Sequence, residues 1–121
     1  MGLLLFAVMH HIDDDRDPGG CTAALRDALP AGSHLAISHP RNPGEQRPED
    51  ARLVRDIAAA FTKSFGTGRW RTDEEIRAFF GDWRLTEPGI VPIAEWRPDP
   101  GDSQVKDLTH HLFVGGVARK P

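Results

Sequence analysis

The sequence predicts a single α/β domain, and three observations support this fold class. The chain opens on an apolar run from Leu3 to Met9 without polar alternation, which is typical of a strand buried on both faces of a sheet. Two stretches with apolar residues at helical spacing follow, and a short strand pattern separates them. Two further strand patterns close the chain, so strands and helices alternate along most of its length.

Composition places the chain among ordinary globular proteins. It has 121 residues and a mass of 13.4 kDa, which leaves no room for a second core. The 39% of hydrophobic residues and the mean hydropathy of -0.43 exclude the collagen-like and membrane-spanning classes. The net charge of -3 predicts neither a nucleic-acid partner nor an anionic membrane surface as partner. The single Cys21 excludes an intramolecular disulfide framework and favours a reducing, cytoplasmic location.

The residues after the first strand predict a helix that begins near Asp17. Asp17 is a favoured N-cap residue, and Pro18 suits the first helical position. Cys21, Leu25 and Leu29 then recur at helical spacing and predict a buried stripe. A Pro-Ala-Gly sequence follows and ends this helix.

The longest predicted helix covers residues 49–65. A short strand at residues 34–38 and a loop rich in Pro and Arg at residues 39–50 precede it. The apolar stripe of the helix consists of Leu53, Val54, Ile57, Ala58, Phe61 and Phe65. The sequence Gly-Thr-Gly at residues 66–68 follows a helix rather than a strand, so it is interpreted as a helix stop and not as a cofactor-binding turn.

The last third of the chain combines a short helix with strand patterns. Thr72 and Glu75 form a capping box, and the apolar face behind it consists of Ile76, Phe79 and Phe80. One strand pattern begins at residues 83–85, bends at Pro88-Gly89 and continues over residues 90–93. A polar loop at residues 97–107 follows it, and the last strand pattern lies at residues 111–118. Gly115 and Gly116 lie inside the last strand pattern and predict a bulge or close packing against a neighbour.

Four segments carry a resemblance to a known family. They are LLLFAVMHHIDDD, ALRDALPAGSHLAISH, RTDEEIRAFFGDWRLTEPGIVPIAEWRPD and the terminal GGVARKP, and NPGEQRPEDARLVRDIAAAF fits between them as a connecting helix. In this order the segments resemble the C-terminal half of a class I S-adenosylmethionine-dependent methyltransferase. The resemblance is strongest to the actinobacterial family of such enzymes, and it covers nearly the whole chain.

This resemblance implies a partial Rossmann-like methyltransferase sheet with flanking helices. The complete fold has the strand order 3-2-1-4-5-7-6, and this chain would supply strands 4, 5, 6 and 7, the last of them antiparallel. Residues 1–121 would then be a single partial domain, the C-terminal half of the fold, with the N-terminal cofactor-binding half absent. The cofactor that the resemblance implies is S-adenosylmethionine.

The main cofactor-binding motif of the resembled family is missing from this sequence. The family places a Gly-rich turn after its first strand and an acidic residue after its second, because glycine lets the backbone approach the cofactor and the acid binds the ribose hydroxyls. No such turn follows a strand pattern here. We therefore expect this chain alone to bind S-adenosylmethionine weakly or not at all, and to be inactive.

His10 and His11 are the strongest candidates for chemistry. They follow the first strand at its carboxyl end, where open α/β sheets bind ligands. The resemblance implies that the backbone of Met9 and His10 approaches the amino-acid part of the cofactor, and that His11 is catalytic by orienting or deprotonating the acceptor. The alternative is that one histidine caps the strand end and the other faces solvent. His39 follows the next strand and is a second candidate for the same rim.

The acidic residues after this histidine pair allow another interpretation. The carboxylates at residues 13–15 and at Asp17, together with the histidines, contain the ligand types of a metal site. A solvated acidic turn next to a helix N-terminus accounts for the same pattern, and we predict no metal. His110 and His111 have no partner at metal-ligand spacing and are predicted to be structural or exposed.

Two classes of function remain. The first is an S-adenosylmethionine-dependent methyltransferase, of which this is a partial chain, acting on an unidentified small-molecule acceptor. The second is a non-catalytic interaction module that associates through an exposed sheet edge. In that case the strand from Leu3 to Met9, without the neighbour it has in the complete fold, would mediate self-association.

Overall fold

The computed structural model describes residues 1–43, 48–66, 68–102 and 108–121, which form a mixed α/β fold as predicted. In chain order the strands and helices are β1 (Gly2–Phe6), α1 (Pro18–Asp27), β2 (His34–Pro40), α2 (Pro48–Phe65), α3 (Asp73–Ala78), β3 (Arg84–Leu85), β4 (Val91–Pro92) and β5 (Phe113–Arg119). Short 3-10 turns lie at Met9–His11, Asp14–Arg16, Ile93–Glu95 and Leu108–His111.

The strands form one five-stranded sheet in the order β1-β2-β5-β3, and β4 also pairs with β5. β1 is parallel to β2, and their register pairs Leu3 with Leu35. β5 is antiparallel to β2, β3 and β4, as expected for the last strand. The carboxyl ends of β1 and β2 therefore lie at the same edge of the sheet, and the residues that follow them lie side by side.

The main core lies on one face of this sheet. The pleat directs Leu35 and Ile37 of β2 to that face, where both are fully buried. Helix α3 and the residues after it cover this face and contribute apolar side chains to the core: Ile76, Phe79, Phe80 and Trp83. This packing fixes the position of the segment just before α3, which is important for the candidate site.

The opposite face of β1 is open, which contradicts the prediction of a strand buried on both faces. Leu3 and Leu5 pack against the core, but Leu4 is 65% exposed and Phe6 is 55% exposed. The strand also ends at Phe6 instead of Met9, because Ala7 adopts a left-handed conformation (φ 50°) and the chain then turns. β1 stands at the end of the described sheet order, so a single strand pairs with it there.

Helix α1 has the predicted start, but its buried face differs from the prediction. Asp17 accepts a hydrogen bond from the Gly20 N–H (3.1 Å), which confirms the N-cap, and Pro18 occupies the first helical position. Cys21 and Leu25 are exposed, whereas Pro18 and Thr22 are buried. The Thr22 hydroxyl donates to its own helix backbone, and this bond lets a polar residue face inwards where an apolar pattern predicts otherwise.

Helix α2 confirms the longest predicted helix to within one residue at its start. Val54 packs with Trp70 and Leu112 in a second, smaller apolar cluster. Phe61 and Phe65, in the last turns of the same stripe, are 36% and 65% exposed, so the stripe continues beyond the core. None of the helices within the described ranges combines the length and apolarity that crossing a membrane requires.

The capping box and the glycine pair are also confirmed. The Thr72 hydroxyl accepts from the Glu75 N–H while the Glu75 carboxylate accepts from the Thr72 N–H, which closes the first turn of α3. A Cβ atom on Gly116 would lie 3.2 Å from the Ile90 side chain and 3.3 Å from the Gly89 carbonyl oxygen. The glycine pair thus allows the segment before β4 to lie directly against β5. Thr67, part of the predicted helix stop, lies outside the described residues.

Candidate functional site

The turn after β1 carries the three predicted site residues and gives each a different environment. Met9, His10 and His11 form a single 3-10 turn, closed by a hydrogen bond from the Ile12 N–H to the Met9 carbonyl (3.1 Å). Met9 and His10 are buried, and His11 is exposed. The structure thus buries one histidine of the pair and leaves the other accessible from solvent.

His39 lies beside this turn, because β1 and β2 are parallel and end at the same edge of the sheet. The ring centroid of His10 is 4.0 Å from that of His11 and 6.0 Å from that of His39. The three histidines that the sequence places after the first two strands therefore form one cluster. His39 is fully buried, so it belongs to the support of the site instead of its surface.

The buried side chain of Arg71 holds the turn in place. This side chain is 2% exposed, and its guanidinium donates hydrogen bonds to the Met9 carbonyl (2.9 Å) and the Ile12 carbonyl (2.7 Å). It also donates to the Asp14 carboxylate (3.0 Å). Sequence reasoning missed this residue, because a single arginine before a capping box is indistinguishable from a solvated surface charge.

Arg71 also determines which ring nitrogen of His39 carries the proton. Arginine can only donate hydrogen bonds, so the His39 Nε2, 3.1 Å from the guanidinium, must be the acceptor. The proton then resides on Nδ1, which donates to the Pro40 carbonyl (2.7 Å). Burial lowers the pKa of His39 to about 4; the hydrogen bond to Pro40 opposes this shift, and the charge of Arg71 adds to it. His39 is therefore neutral at pH 7.

His10 has a buried nitrogen, Nδ1, to which no described residue forms a hydrogen bond. Burial lowers the pKa of His10, and the neighbouring His11 and Arg71 act in the same direction. A buried polar atom without a partner costs free energy, so a ligand that bonds to this nitrogen would remove that cost.

Asp14, which follows the histidine turn, forms ion pairs with two arginines. Asp14 lies 3.1 Å from the Arg69 guanidinium and 3.0 Å from that of Arg71, and these hydrogen bonds, that of Arg71 first, lower the pKa of Asp14. Arg69 also pairs with Glu75 (2.8 Å), the capping residue of α3. Within the described ranges, no three His, Cys, Asp or Glu side chains come together as a metal site would require.

His110 belongs to a separate arrangement. It is buried, and its Nε2 lies 2.9 Å from the Glu95 carboxylate, so the structural interpretation of this residue is correct. Sequence spacing could not indicate this partner, which is 15 residues away along the chain. Trp70 and Trp83 are buried in the two apolar clusters and serve packing.

We predict that acid weakens the fold through His39. Its pKa is about 4 in the folded chain and near 6.5 when unfolded, so between these values the unfolded state binds more protons. The stabilisation is complete above pH 6.5 and is lost as the pH falls towards 4, by roughly 3 kcal/mol. Urea unfolding at pH 7 and pH 4.5 measures this, and His39→Gln should reduce the difference. His34→Gln, at an exposed histidine, is the control, and equal pH dependence in both variants would contradict the assignment.

We also predict a large effect of Arg71→Met on stability. The variant leaves the carbonyls of Met9 and Ile12 buried without their charged donor, and the free energy of unfolding should fall by about 3–5 kcal/mol. Arg41→Met is the matched control, because Arg41 pairs with the half-exposed Asp73 and should cost about 1 kcal/mol. Urea unfolding checks both values. Equal losses in the two variants would mean that Arg71 does not hold the turn.

Comparison with known proteins shows which family and which fold this chain has. A candidate methyltransferase from Thermobifida fusca YX is 32% identical with a TM-score of 0.84, over 98% of this chain and 42% of that one. A DUF574-family protein from Streptomyces avermitilis MA-4680 is 31% identical with a TM-score of 0.84, over 99% of this chain and 44% of that one. This chain thus spans less than half the length of either structure, and no curated protein matches it. The family described as S-adenosyl methyltransferase matches residues 1–121, and the chain belongs to that family.

Proposed function

We propose that this chain is the C-terminal, acceptor-side half of an S-adenosylmethionine-dependent methyltransferase, which transfers a methyl group to a small molecule when the complete fold is present. The observation that carries the proposal is the turn after β1. It presents an exposed His11 beside a buried His10, and Arg71 fixes its backbone. The family to which the chain belongs, S-adenosyl methyltransferase, supports methyl transfer as the reaction at this turn.

The sheet topology supports the assignment to one half of the fold. The observed order β1-β2-β5-β3 with β5 antiparallel is the order that strands 4-5-7-6 of the resembled fold would give. The coverage of 42% and 44% of the two solved chains agrees with a partial domain over residues 1–121. The exposed Cys21 fits our expectation of a reducing, cytoplasmic location.

We propose that the residues of the turn lie at the amino-acid end of the cofactor. Met9 and His10 would line it, but the Met9 carbonyl already accepts from Arg71, and the His10 carbonyl accepts from the Arg69 N–H (2.8 Å). The His10 Nδ1, which lacks a partner among the described residues, would bond to a ligand only after a small opening of the turn, because this atom is buried. S-adenosylmethionine, when bound, supplies an electrophilic methyl group on a sulfonium. The ribose-binding acid and the Gly-rich turn would come from the other half of the fold.

His11 would act on the acceptor. Methyl transfer is a displacement, so holding the acceptor in line supplies much of the rate, and a base is needed where the acceptor is poorly ionised. The exposed imidazole of His11 can accept a hydrogen bond or a proton from the acceptor. His10 and His39 are buried and support the turn, so they are less suited to this role.

The test of the proposal is His11→Ala in an enzyme that contains both halves of the fold. We predict that kcat falls by about 10²-fold or more, the contribution typical of a general base, with little change in affinity for S-adenosylmethionine. His34→Ala, at an exposed histidine on β2, is the control. His110 is unsuitable as a control because its loss would break a buried contact with Glu95. Unchanged turnover in His11→Ala would refute the catalytic role.

A second candidate function has its own observation. Leu4 and Phe6 are exposed on β1, which stands at the end of the described sheet order, so this strand could associate with a second copy of the chain. The chain would then be a non-catalytic interaction module, which needs no cofactor.

We predict for this alternative that the chain self-associates at high concentration through β1, the strand part of the predicted segment from Leu3 to Met9. Leu4→Lys places a charge on the exposed face and should lower the apparent mass in light scattering. Leu25→Lys, at an exposed position of α1, is the control and should leave the mass unchanged. A stable monomer of the unmodified chain at high concentration would refute the alternative.

A further inference from the structure

Helix α2 carries two exposed phenylalanines whose position the core does not explain. Val54 and Ile57 of the same apolar stripe pack with Trp70, but Phe61 and Phe65 lie beyond that cluster. Their rings are 5.3 Å apart, so they form one continuous aromatic surface. Two adjacent aromatic side chains exposed on one stripe form a contiguous apolar patch, which is the kind of surface that binding sites use.

These phenylalanines lie against the histidine turn. The ring of Phe61 is 6.4 Å from that of His10, and the ring of Phe65 is 6.5 Å from that of His11. Both pairs are close to perpendicular, with interplanar angles of 71° and 79°, an edge-to-face arrangement that aromatic rings favour. The four rings therefore form one cluster, called here the aromatic wall, at the carboxyl end of β1.

The backbone fixes the position of this wall. A Cβ atom on Gly68 would lie 3.4 Å from the side chain of Phe61, so the chain leaving α2 passes directly against it. One residue later the Arg69 N–H donates to the His10 carbonyl (2.8 Å), and Arg71 then binds the Met9 carbonyl. Residues Gly68 to Arg71 thus contact both the end of α2 and the histidine turn.

We propose that the aromatic wall binds a planar aromatic methyl acceptor, a phenol, with its hydroxyl directed to His11; this inference rests on the proposed function and specifies its substrate class. The exposed faces of Phe61 and Phe65 offer an apolar surface to a flat ring, and the buried, unpaired His10 Nδ1 lies beside them. Apolar aromatic walls with one or two polar atoms are the usual composition of small-molecule sites.

The proposed methyl transfer to a phenol needs one proton acceptor, and His11 of the aromatic wall can serve as that acceptor. The phenol proton passes to the His11 imidazole, and the oxygen forms a bond to the methyl carbon. The carbon–sulfur bond of the sulfonium breaks, and its electron pair remains on sulfur. The products are a methyl ether, a thioether and an imidazolium, which returns its proton to water.

A second apolar surface competes with this assignment and determines the design of the test. A cleft of about 480 Å³ lies on the open face of the sheet, where Phe6, Ile93 and Trp96 line it. The Trp96 indole nitrogen there is also buried without a partner among the described residues. An aromatic probe could enter either place, so variants of both are needed.

The experiment titrates this chain with 2-naphthol and follows the ring signals of histidine and phenylalanine by NMR. We expect shifts at His11 and Phe65, and a roughly two- to tenfold weaker Kd in Phe65→Leu, which stays apolar but loses its ring. Ile93→Ala, at an exposed residue of the rival cleft, is the matched control and should leave Kd unchanged. Saturated 2-decalol should bind more weakly than 2-naphthol, because it offers no π face.

The possible outcomes separate this inference from the proposed function. Loss of affinity in Ile93→Ala but not in Phe65→Leu, equal binding of 2-decalol, or no shift at His11 would each overturn the acceptor class. The proposed methyltransferase function, which His11→Ala tests in the complete enzyme, would not be affected by any of these results. Specific binding of 2-naphthol to the wall without methylation of its hydroxyl by the complete enzyme would also overturn the acceptor class. A complete enzyme that does not bind S-adenosylmethionine would instead overturn the proposed function. Because Phe65 is 65% exposed, Phe65→Leu should fold normally, and urea unfolding checks this.

Discussion

A buried guanidinium needs hydrogen-bond acceptors in place of water, and this requirement organises the region around the histidine turn. Arg71 meets it with groups from three parts of the chain: the carbonyls and carboxylate that follow β1, the imidazole at the end of β2, and the ring of Phe79 after α3, 5.1 Å from the guanidinium carbon. The turn cannot change its backbone conformation without leaving a charge unpaired in the interior. The relative positions of His10 and His11 are therefore set by an arginine that lies 62 residues further along the chain than Met9.

The same network couples the site to the cap of α3. One oxygen of the Glu75 carboxylate accepts from Thr72 and completes the capping box, while the other binds Arg69. Arg69 in turn binds Asp14, beside the turn. A single side chain thus stabilises a helix terminus and orients a residue next to the candidate site. These outer pairs are partly exposed and individually weak, so they act as supports of the buried contacts of Arg71.

Local signals in the sequence were sufficient for much of this fold. The N-cap at Asp17, the capping box at Thr72 and the glycine pair in β5 each depend on neighbours within a few residues, and the structure has all three. The histidine cluster followed from the rule that parallel strands end at one edge of a sheet. Which faces of β1 and α1 are buried could not be predicted from the sequence, because an apolar pattern does not show which face of an element will lack a neighbour. The role of Arg71 could not be predicted from the sequence, because its hydrogen-bond partners are distant along the chain.

The close approach at Gly116 has a consequence for the evolution of this family. The Ile90 side chain and the Gly89 carbonyl occupy the space that a Cβ atom at position 116 would need. A related chain that carries alanine or a larger residue at 116 needs a small shift of the Gly89 carbonyl and of the side chain at 90, and a smaller residue at 90 would make room more easily. Substitutions at these two positions should covary among homologues, although 26 residues of sequence separate them. Covariation of these two positions would then be detectable in an alignment of sequences without any structure.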